Sequence, residues 1–171
     1  MLFAIWTFVL IVAIFLIELA MGRHKGVHRR QDLIMLGVVF VGAQLSRPAL
    51  AFLGATVIGL IFPARQGALS EVGLLPGFLA LLLVGEFFQY WIHRLAHDSR
   101  RHRLLYGMHR THHSAPYVNV TLVYRSNLLF PLVHSYTWVA AAGFYFGMFE
   151  ATMTFYVVAR AWNALTHSDW L

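Results

Sequence analysis

The sequence predicts an all-α integral membrane protein, a bundle of about five transmembrane helices with a histidine cluster at its cytoplasmic face. Three observations support this prediction. Hydrophobic residues make up 59% of the 171 residues, and charged residues only 12%. Long apolar runs alternate with short basic loops. Six of the ten histidines lie between residues 91 and 113, directly after one of those runs. Residues 1–171 are therefore predicted to form a single membrane domain.

The first apolar run extends from Leu2 to Gly22. It lacks a preceding basic region and is longer than the apolar core of a signal peptide, so residues 1–22 are predicted to be an N-terminal membrane anchor helix. The loop that follows is basic. Because basic loops stay in the cytoplasm, it places residues 23–32 there and the N-terminus outside. Its basic residues are Arg23, Lys25, Arg29 and Arg30.

The second run, from Leu33 to Phe62, is interrupted by Gln44, Arg47 and Pro48. It is predicted to be either one tilted, kinked span or a re-entrant hairpin of two halves. The distribution of basic residues favours the single crossing, because the next helix then returns the arginine-rich segment to the cytoplasm.

That next helix is predicted to begin near Pro76, which suits a first turn, and to end at His97. The segment from Leu128 to Phe149 is predicted to cross outward. A turn at Glu150 then precedes the final span, Ala151 to Thr166, which brings His167 to the face of the histidine cluster.

The composition excludes several kinds of site. The chain contains no cysteine, so disulfides, thiolate metal sites, iron–sulfur clusters and a cysteine nucleophile are all excluded. Any metal must be held by nitrogen and oxygen. The formal charge is +6, but the basic residues lie in loops between apolar spans. Membrane topology explains that pattern, and no nucleic-acid partner is predicted.

Two histidine ladders, sets of histidines spaced so that they share one face of a helix, indicate the chemistry of the site. His93 and His97 are four residues apart at the end of the third apolar helix, and His109, His112 and His113 form the stretch HRTHH. On a helix each set projects from one face. Neutral imidazole binds iron, zinc, copper and nickel. Five imidazoles at one membrane face therefore predict a metal site.

Glu86 and Tyr90 share the helical stripe of His93 and His97. A carboxylate in an apolar span normally points into the bundle, so both residues are candidates to orient a ligand histidine or to line the substrate cavity. Tyr90 has a second interpretation as an aromatic residue at the membrane interface.

The final helix carries a comparable polar stripe of Arg160, Asn163 and His167. His167 is predicted to be a metal ligand or a near-ligand, and Asn163 to lie beside it.

Four other histidines are assigned other roles. His102, His24 and His28 are predicted to be solvated or interfacial residues. His134, inside the fourth predicted span, has two interpretations: a functional residue that faces the bundle interior, or a core residue with one hydrogen bond, which is favoured.

Three stretches in this order resemble the sterol desaturase and fatty acid hydroxylase superfamily of membrane di-iron enzymes. They are YWIHRLAH (90–97), MHRTHHSAPYVNVTLVYR (108–125) and LTHSDWL (165–171). The resemblance covers about residues 30–171. It implies a non-haem di-iron centre, two irons per site, that uses O2 and two electrons on a lipid C–H bond. By this resemblance the metal ligands are His93, His97, His109, His112, His113 and His167.

The resemblance also implies a lipid substrate, fatty acyl or sterol, that enters from the bilayer. The partner would be an electron donor protein resembling cytochrome b5 or a ferredoxin. The expected function is membrane-bound hydroxylation or desaturation of a lipid in lipid biosynthesis.

Three departures from the family pattern are visible. The chain ends before the family's final HxxHH motif, so a C-terminally truncated member is expected. Ser126 and Asn127 stand where the family often has a histidine–proline pair, and Asp169 stands where asparagine is usual.

A second hypothesis is a non-catalytic membrane protein that keeps part of the histidine site, either to bind zinc or for structure. A metal transporter fits less well, because the histidines cluster at one face and polar ligands do not cross the spans.

Overall fold

The computed structural model describes residues 2–168, and these residues form helices joined by turns and loops, with no β-strand among them. The all-α prediction is confirmed for this part of the chain. Asp169 lies outside it. The α-helices are α1 (Leu2–Ala20), α2 (Arg30–Ile61), α3 (Leu74–Ala96), α4 (Arg103–His109), α5 (Ser135–Tyr145) and α6 (Phe149–Thr166).

The second apolar run forms one continuous helix, α2, with Pro48 inside it. This confirms the prediction of a single helix and rules out a re-entrant hairpin of two halves. Helix α3 has Pro76 in its first turn, as expected. Among the described residues, α2 and α3 are the two helices of 18 or more residues that are apolar enough to cross a membrane. They are the candidate membrane spans of this part of the chain.

The fourth predicted span differs from the prediction. Within residues 128–149 the chain first makes a short 3-10 turn, Phe130–Leu132, and only then enters α5, which has 11 residues. At 1.5 Å per residue α5 is about 16 Å long, roughly half of a bilayer's hydrocarbon core. Pro131 favours the turn because it has no N–H to donate, and Gly147, at φ 84°, lies in the turn before α6. The count of five spans stays a prediction.

Two apolar clusters hold the helices together. One joins α1, α2, the end of α6 and the 3-10 segment Val120–Tyr124. The other joins α3, α5 and α6 around Phe155, which is fully buried. Gly85 of α3 allows this close approach, since a Cβ there would lie only 2.8 Å from Cζ of Phe155. Packed in this way, α3 and α6 carry their C-terminal histidines to the same end of the molecule.

Helix α1 is tied to the rest of the fold by a buried carboxylate, Glu18. This side chain is fully buried, and its two oxygens accept the backbone N–H of Val120 at 3.0 and 2.9 Å. His24 donates from Nε2 to the same carboxylate at 3.1 Å, and His24 Nδ1 lies 3.1 Å from Nε2 of His28. The side chain of His24 is only 5% exposed. The prediction that His24 is an ordinary interfacial residue is therefore wrong. Its imidazole is buried because it hydrogen-bonds to the buried carboxylate of Glu18.

Candidate metal centre

The end of α3 supplies the first two histidines. His93 lies in the last turn of the helix, and His97 is its C-cap residue. One helical turn separates them, so both imidazoles project from the same face. Their Nε2 atoms are 3.1 Å apart.

The HRTHH stretch does not continue as one helix. His109 is the last residue of α4, and His112 and His113 belong to a separate 3-10 turn, His112–Ser114. His113 turns back to His109, with 2.9 Å between their Nε2 atoms. His112 points to the end of α6 instead, where its Nε2 lies 3.0 Å from Nε2 of His167. The predicted single ladder is thus divided between two groups.

The first group consists of His93, His97, His109 and His113, whose nitrogen ligand atoms all lie within 4.8 Å of one another. Two nitrogens bound to the same ion at about 2.1 Å are about 3 Å apart when the N–metal–N angle is a right angle. The nearest pairs in the group have this separation. Four neutral nitrogen donors so arranged fit a divalent transition metal ion.

The second group is the pair of His112 and His167, which adjoins the first. The ring of His112 is 5.5 Å from that of His109 and 5.1 Å from that of His113. His167 donates from Nδ1 to the backbone carbonyl of Asn163 at 2.7 Å. Because a carbonyl can only accept, the proton is on Nδ1, and the Nε2 lone pair is free to bind a metal.

Burial keeps the histidines of the HRTHH stretch neutral. It lowers the pKa of His109 to about 3 and that of His112 to about 4, and the neighbouring imidazoles add to both effects. The pKa of His113 is also lowered, mainly by burial. At neutral pH these side chains are therefore unprotonated, which is the form that binds a metal.

The other predicted site residues have different surroundings. Glu86 accepts a hydrogen bond from the hydroxyl of Tyr136, whose ring lies 4.8 Å from that of His134. Tyr90 is 55% exposed, and its hydroxyl accepts a hydrogen bond from Arg94 at 2.7 Å. In the described part of the chain neither Glu86 nor Tyr90 is hydrogen-bonded to a cluster histidine. The exposure of Tyr90 matches its second interpretation, an aromatic residue at the interface.

A cavity of about 60 Å³ adjoins both histidine groups. Several of its lining residues were not predicted from the sequence as site residues. The sequence did contain a signal for Arg47, since it interrupts an apolar run. An arginine inside an apolar span usually faces a functional interior. His134, for which the sequence left a functional role open but favoured core packing, also lines this cavity. The lining consists of Arg47, Gln89, His93, His109, His112, Val123, Ser126, Phe130, His134, Asn163 and His167.

Comparison with known proteins agrees with the geometry. The sequence model described as fatty acid hydroxylase matches residues 78–171, a range that contains all six histidines of the two groups. Comparisons with curated proteins and with solved structures gave no significant match. The family match covers more than half of the chain. On this basis the chain belongs to the fatty acid hydroxylase family, within the sterol desaturase and fatty acid hydroxylase superfamily of oxidoreductases.

Proposed function

We propose that this protein is a membrane-bound di-iron oxidoreductase that hydroxylates or desaturates a lipid C–H bond with O2. The observation that carries the proposal is the four-histidine group with the His112–His167 pair beside it, in a chain of this family. Two adjacent groups of nitrogen donors correspond to two metal positions.

The residues fit the roles that such a centre requires. His93, His97, His109 and His113 would hold one iron, and His112 with His167 would contribute to the second. When bound, iron supplies the activation of O2 and the oxidising strength that an unactivated C–H bond demands, which no side chain can provide.

The surrounding residues orient the ligands and exclude water. Asn163 fixes the tautomer of His167 through its carbonyl. Phe130, 7% exposed, lies against the ring of His109 with 5.5 Å between centroids. An aromatic ring at this position limits rotation of the imidazole and keeps water from one side of the site.

An apolar cavity supports a lipid substrate. Its volume is about 500 Å³, and it lies between α3 and α5 with walls that are almost entirely apolar. Val84, Phe88 and Ile92 of α3 line it, and Ile92 directly precedes His93 in the chain. Such a cavity can accept an acyl chain or a sterol ring system through the hydrophobic effect.

The proposal includes a multi-pass topology with the histidine cluster on the cytoplasmic side. Exposed arginines surround the cluster, and basic residues near spans favour the cytoplasm. The same surface would attract an acidic electron donor protein, of the cytochrome b5 or ferredoxin kind. The exposed arginines are Arg94, Arg100, Arg101, Arg103 and Arg110.

The first test is metal content, measured by elemental mass spectrometry on protein expressed with iron and purified in detergent. We expect about two irons per chain, falling by about half or more in His109→Ala. His102→Ala, in the same segment but outside both histidine groups, is the matched control and should keep its iron. Incubation with lipids, O2 and a reductant should then yield a product heavier by one oxygen or lighter by two hydrogens.

The alternative predicts a different result. A single tightly held zinc that is indifferent to iron supply, with no lipid product, would favour the non-catalytic zinc-binding protein and would contradict the oxidoreductase.

A further inference from the structure

Two arginines lie inside the helix bundle, and neither has an acidic partner among residues 2–168. Arg47 is near the middle of α2, and Arg160 is in α6 and 6% exposed. Both line one small cavity, together with His134 and Tyr156. Arg160 donates to the hydroxyls of Tyr156 at 3.0 Å and Tyr124 at 3.1 Å. The guanidinium of Arg47 has no hydrogen bond among residues 2–168, and its Nε is fully buried.

The carboxylates of the described residues are placed elsewhere. Glu18 binds His24 and Val120, Asp32 binds Arg125, Glu86 binds Tyr136, and Asp98 binds the arginines that follow it. Glu71 and Glu150 are exposed. No ion pair within this part of the chain involves Arg47 or Arg160.

Such an arrangement is unfavourable without an anion. Removing one cation from water is strongly unfavourable unless a counter-charge and hydrogen bonds compensate. A second cation nearby adds repulsion. In membrane helices, charged residues that face the interior mark the paths and sites of polar ligands. The tyrosine hydroxyls accept two hydrogen bonds from Arg160, whereas no described residue accepts one from Arg47.

The position of Arg47 connects this pair to the metal centre. Arg47 and His134 line both the small cavity and the 60 Å³ cavity. The larger cavity is also lined by the cluster histidines His93, His109, His112 and His167. A volume of that size holds several water molecules, enough for a carboxylate or a phosphate group. A guanidinium binds both groups through two parallel N–H···O bonds.

We propose that Arg47 binds an oxyanion in the 60 Å³ cavity, a carboxylate or phosphate group at the polar end of the lipid substrate. Arg160 does not line that cavity, and it would add positive charge from the adjoining cavity of about 10 Å³. The assignment to substrate rests on the proposed oxidoreductase function. The site would hold the anionic end beside the histidine groups, so the oxidised carbon would lie near that end of the lipid.

The test measures ligand binding on metal-free protein in a non-ionic detergent, by a change in melting temperature and by isothermal titration calorimetry. The ligands are oleate, the neutral oleyl alcohol, and acetate or inorganic phosphate as free anions. We expect oleate to bind about tenfold or more tightly than oleyl alcohol. Arg47→Gln should abolish this preference, while Arg65→Gln, at an exposed arginine outside the cavity, should leave it unchanged.

The outcomes separate the two proposals. Equal affinities for oleate and oleyl alcohol in the unaltered protein would overturn the oxyanion site, whatever its iron content. Acetate or phosphate binding as tightly as oleate would overturn the assignment to a lipid. A charge preference in protein that binds no iron would leave the anion site standing and count only against the metal centre. If Arg47→Gln does not fold, Arg47→Lys is used instead. If that variant keeps the full preference for oleate over oleyl alcohol, recognition through two parallel N–H···O bonds from Arg47 is overturned.

Discussion

At the scale of single residues, the centre depends on which ring nitrogen of each histidine is free. In His167 the carbonyl of Asn163 holds the proton on Nδ1, so Nε2 faces His112. In His109 and His112 burial keeps the imidazole neutral well below pH 7. At neutral pH these imidazoles carry no extra proton, so a nitrogen lone pair of each ring is available to a metal ion. Solvated histidines, with an ordinary pKa, would be partly protonated instead.

A pH dependence of stability follows from these pKa values. His109 and His112 titrate near pH 3 and pH 4 in the folded protein and near pH 6.5 in the unfolded chain. Between those values the unfolded chain binds more protons, so the stability present above about pH 6.5 is lost as the pH falls toward 4. We expect the melting temperature of metal-free protein to decrease over this range. A His112→Gln variant should show a shallower decrease than His102→Gln, and equal slopes in the two variants would contradict the prediction.

At the scale of elements, the site depends on contacts between segments that are far apart in the chain. The end of α3, the α4 segment and the end of α6 each contribute histidines. Helix α1 contributes none, yet Glu18 binds the backbone of Val120 in the loop that follows the HRTHH stretch. That loop also carries Arg125, which bonds to Asp32 of α2 at 2.7 Å and to Ser114 at 3.1 Å. The N-terminal helices therefore position the metal-binding loop.

Replacing Glu18 tests this role. Glu18→Leu removes the acceptor of a buried N–H, so we expect unfolding to become easier by about 1–3 kcal/mol, together with a lower iron content. Glu18→Gln keeps an acceptor oxygen and should have a smaller effect. The control is Glu71→Leu, at an exposed position. Melting temperature and iron per chain are the measurements, and a Glu18→Leu protein as stable and iron-replete as the control would rule out this anchoring.

At the scale of the whole molecule, the helix ends that carry the histidines and the exposed arginines lie together, so the site and the proposed donor surface share one face. The apolar cavity between α3 and α5 runs along the helix that ends in His93 and His97. A lipid from the bilayer and electrons from a soluble donor would thus reach the centre from different directions. This separation would suit the proposed coupling of a membrane substrate to a water-soluble reductant.

The orientation can be tested because the chain has no cysteine of its own. Ser99→Cys places a thiol at an exposed position after α3, and Ala68→Cys places one in the loop before it. We expect a membrane-impermeant maleimide to label Ser99→Cys only from the cytoplasmic side and Ala68→Cys only from the opposite side. Labelling of both from the same side would show that α3 does not cross, and reversed labelling would place the cluster outside the cytoplasm.

The all-helical class, the membrane association and the family could all be predicted from the amino-acid sequence. These follow from composition and from short-range spacing, since HxxxH and HxxHH place imidazoles on one side of a helix whatever surrounds it. Tertiary packing was needed to show that His112 leaves its ladder to meet His167 and that Glu18 links α1 to the metal-binding loop. It was also needed to show that Arg47 and Arg160 lie at one cavity with no carboxylate from residues 2–168 beside them. The spacing of residues in the sequence indicates which side chains share one face of a helix. Which other segment that face contacts depends on how helices that are far apart in the chain pack together.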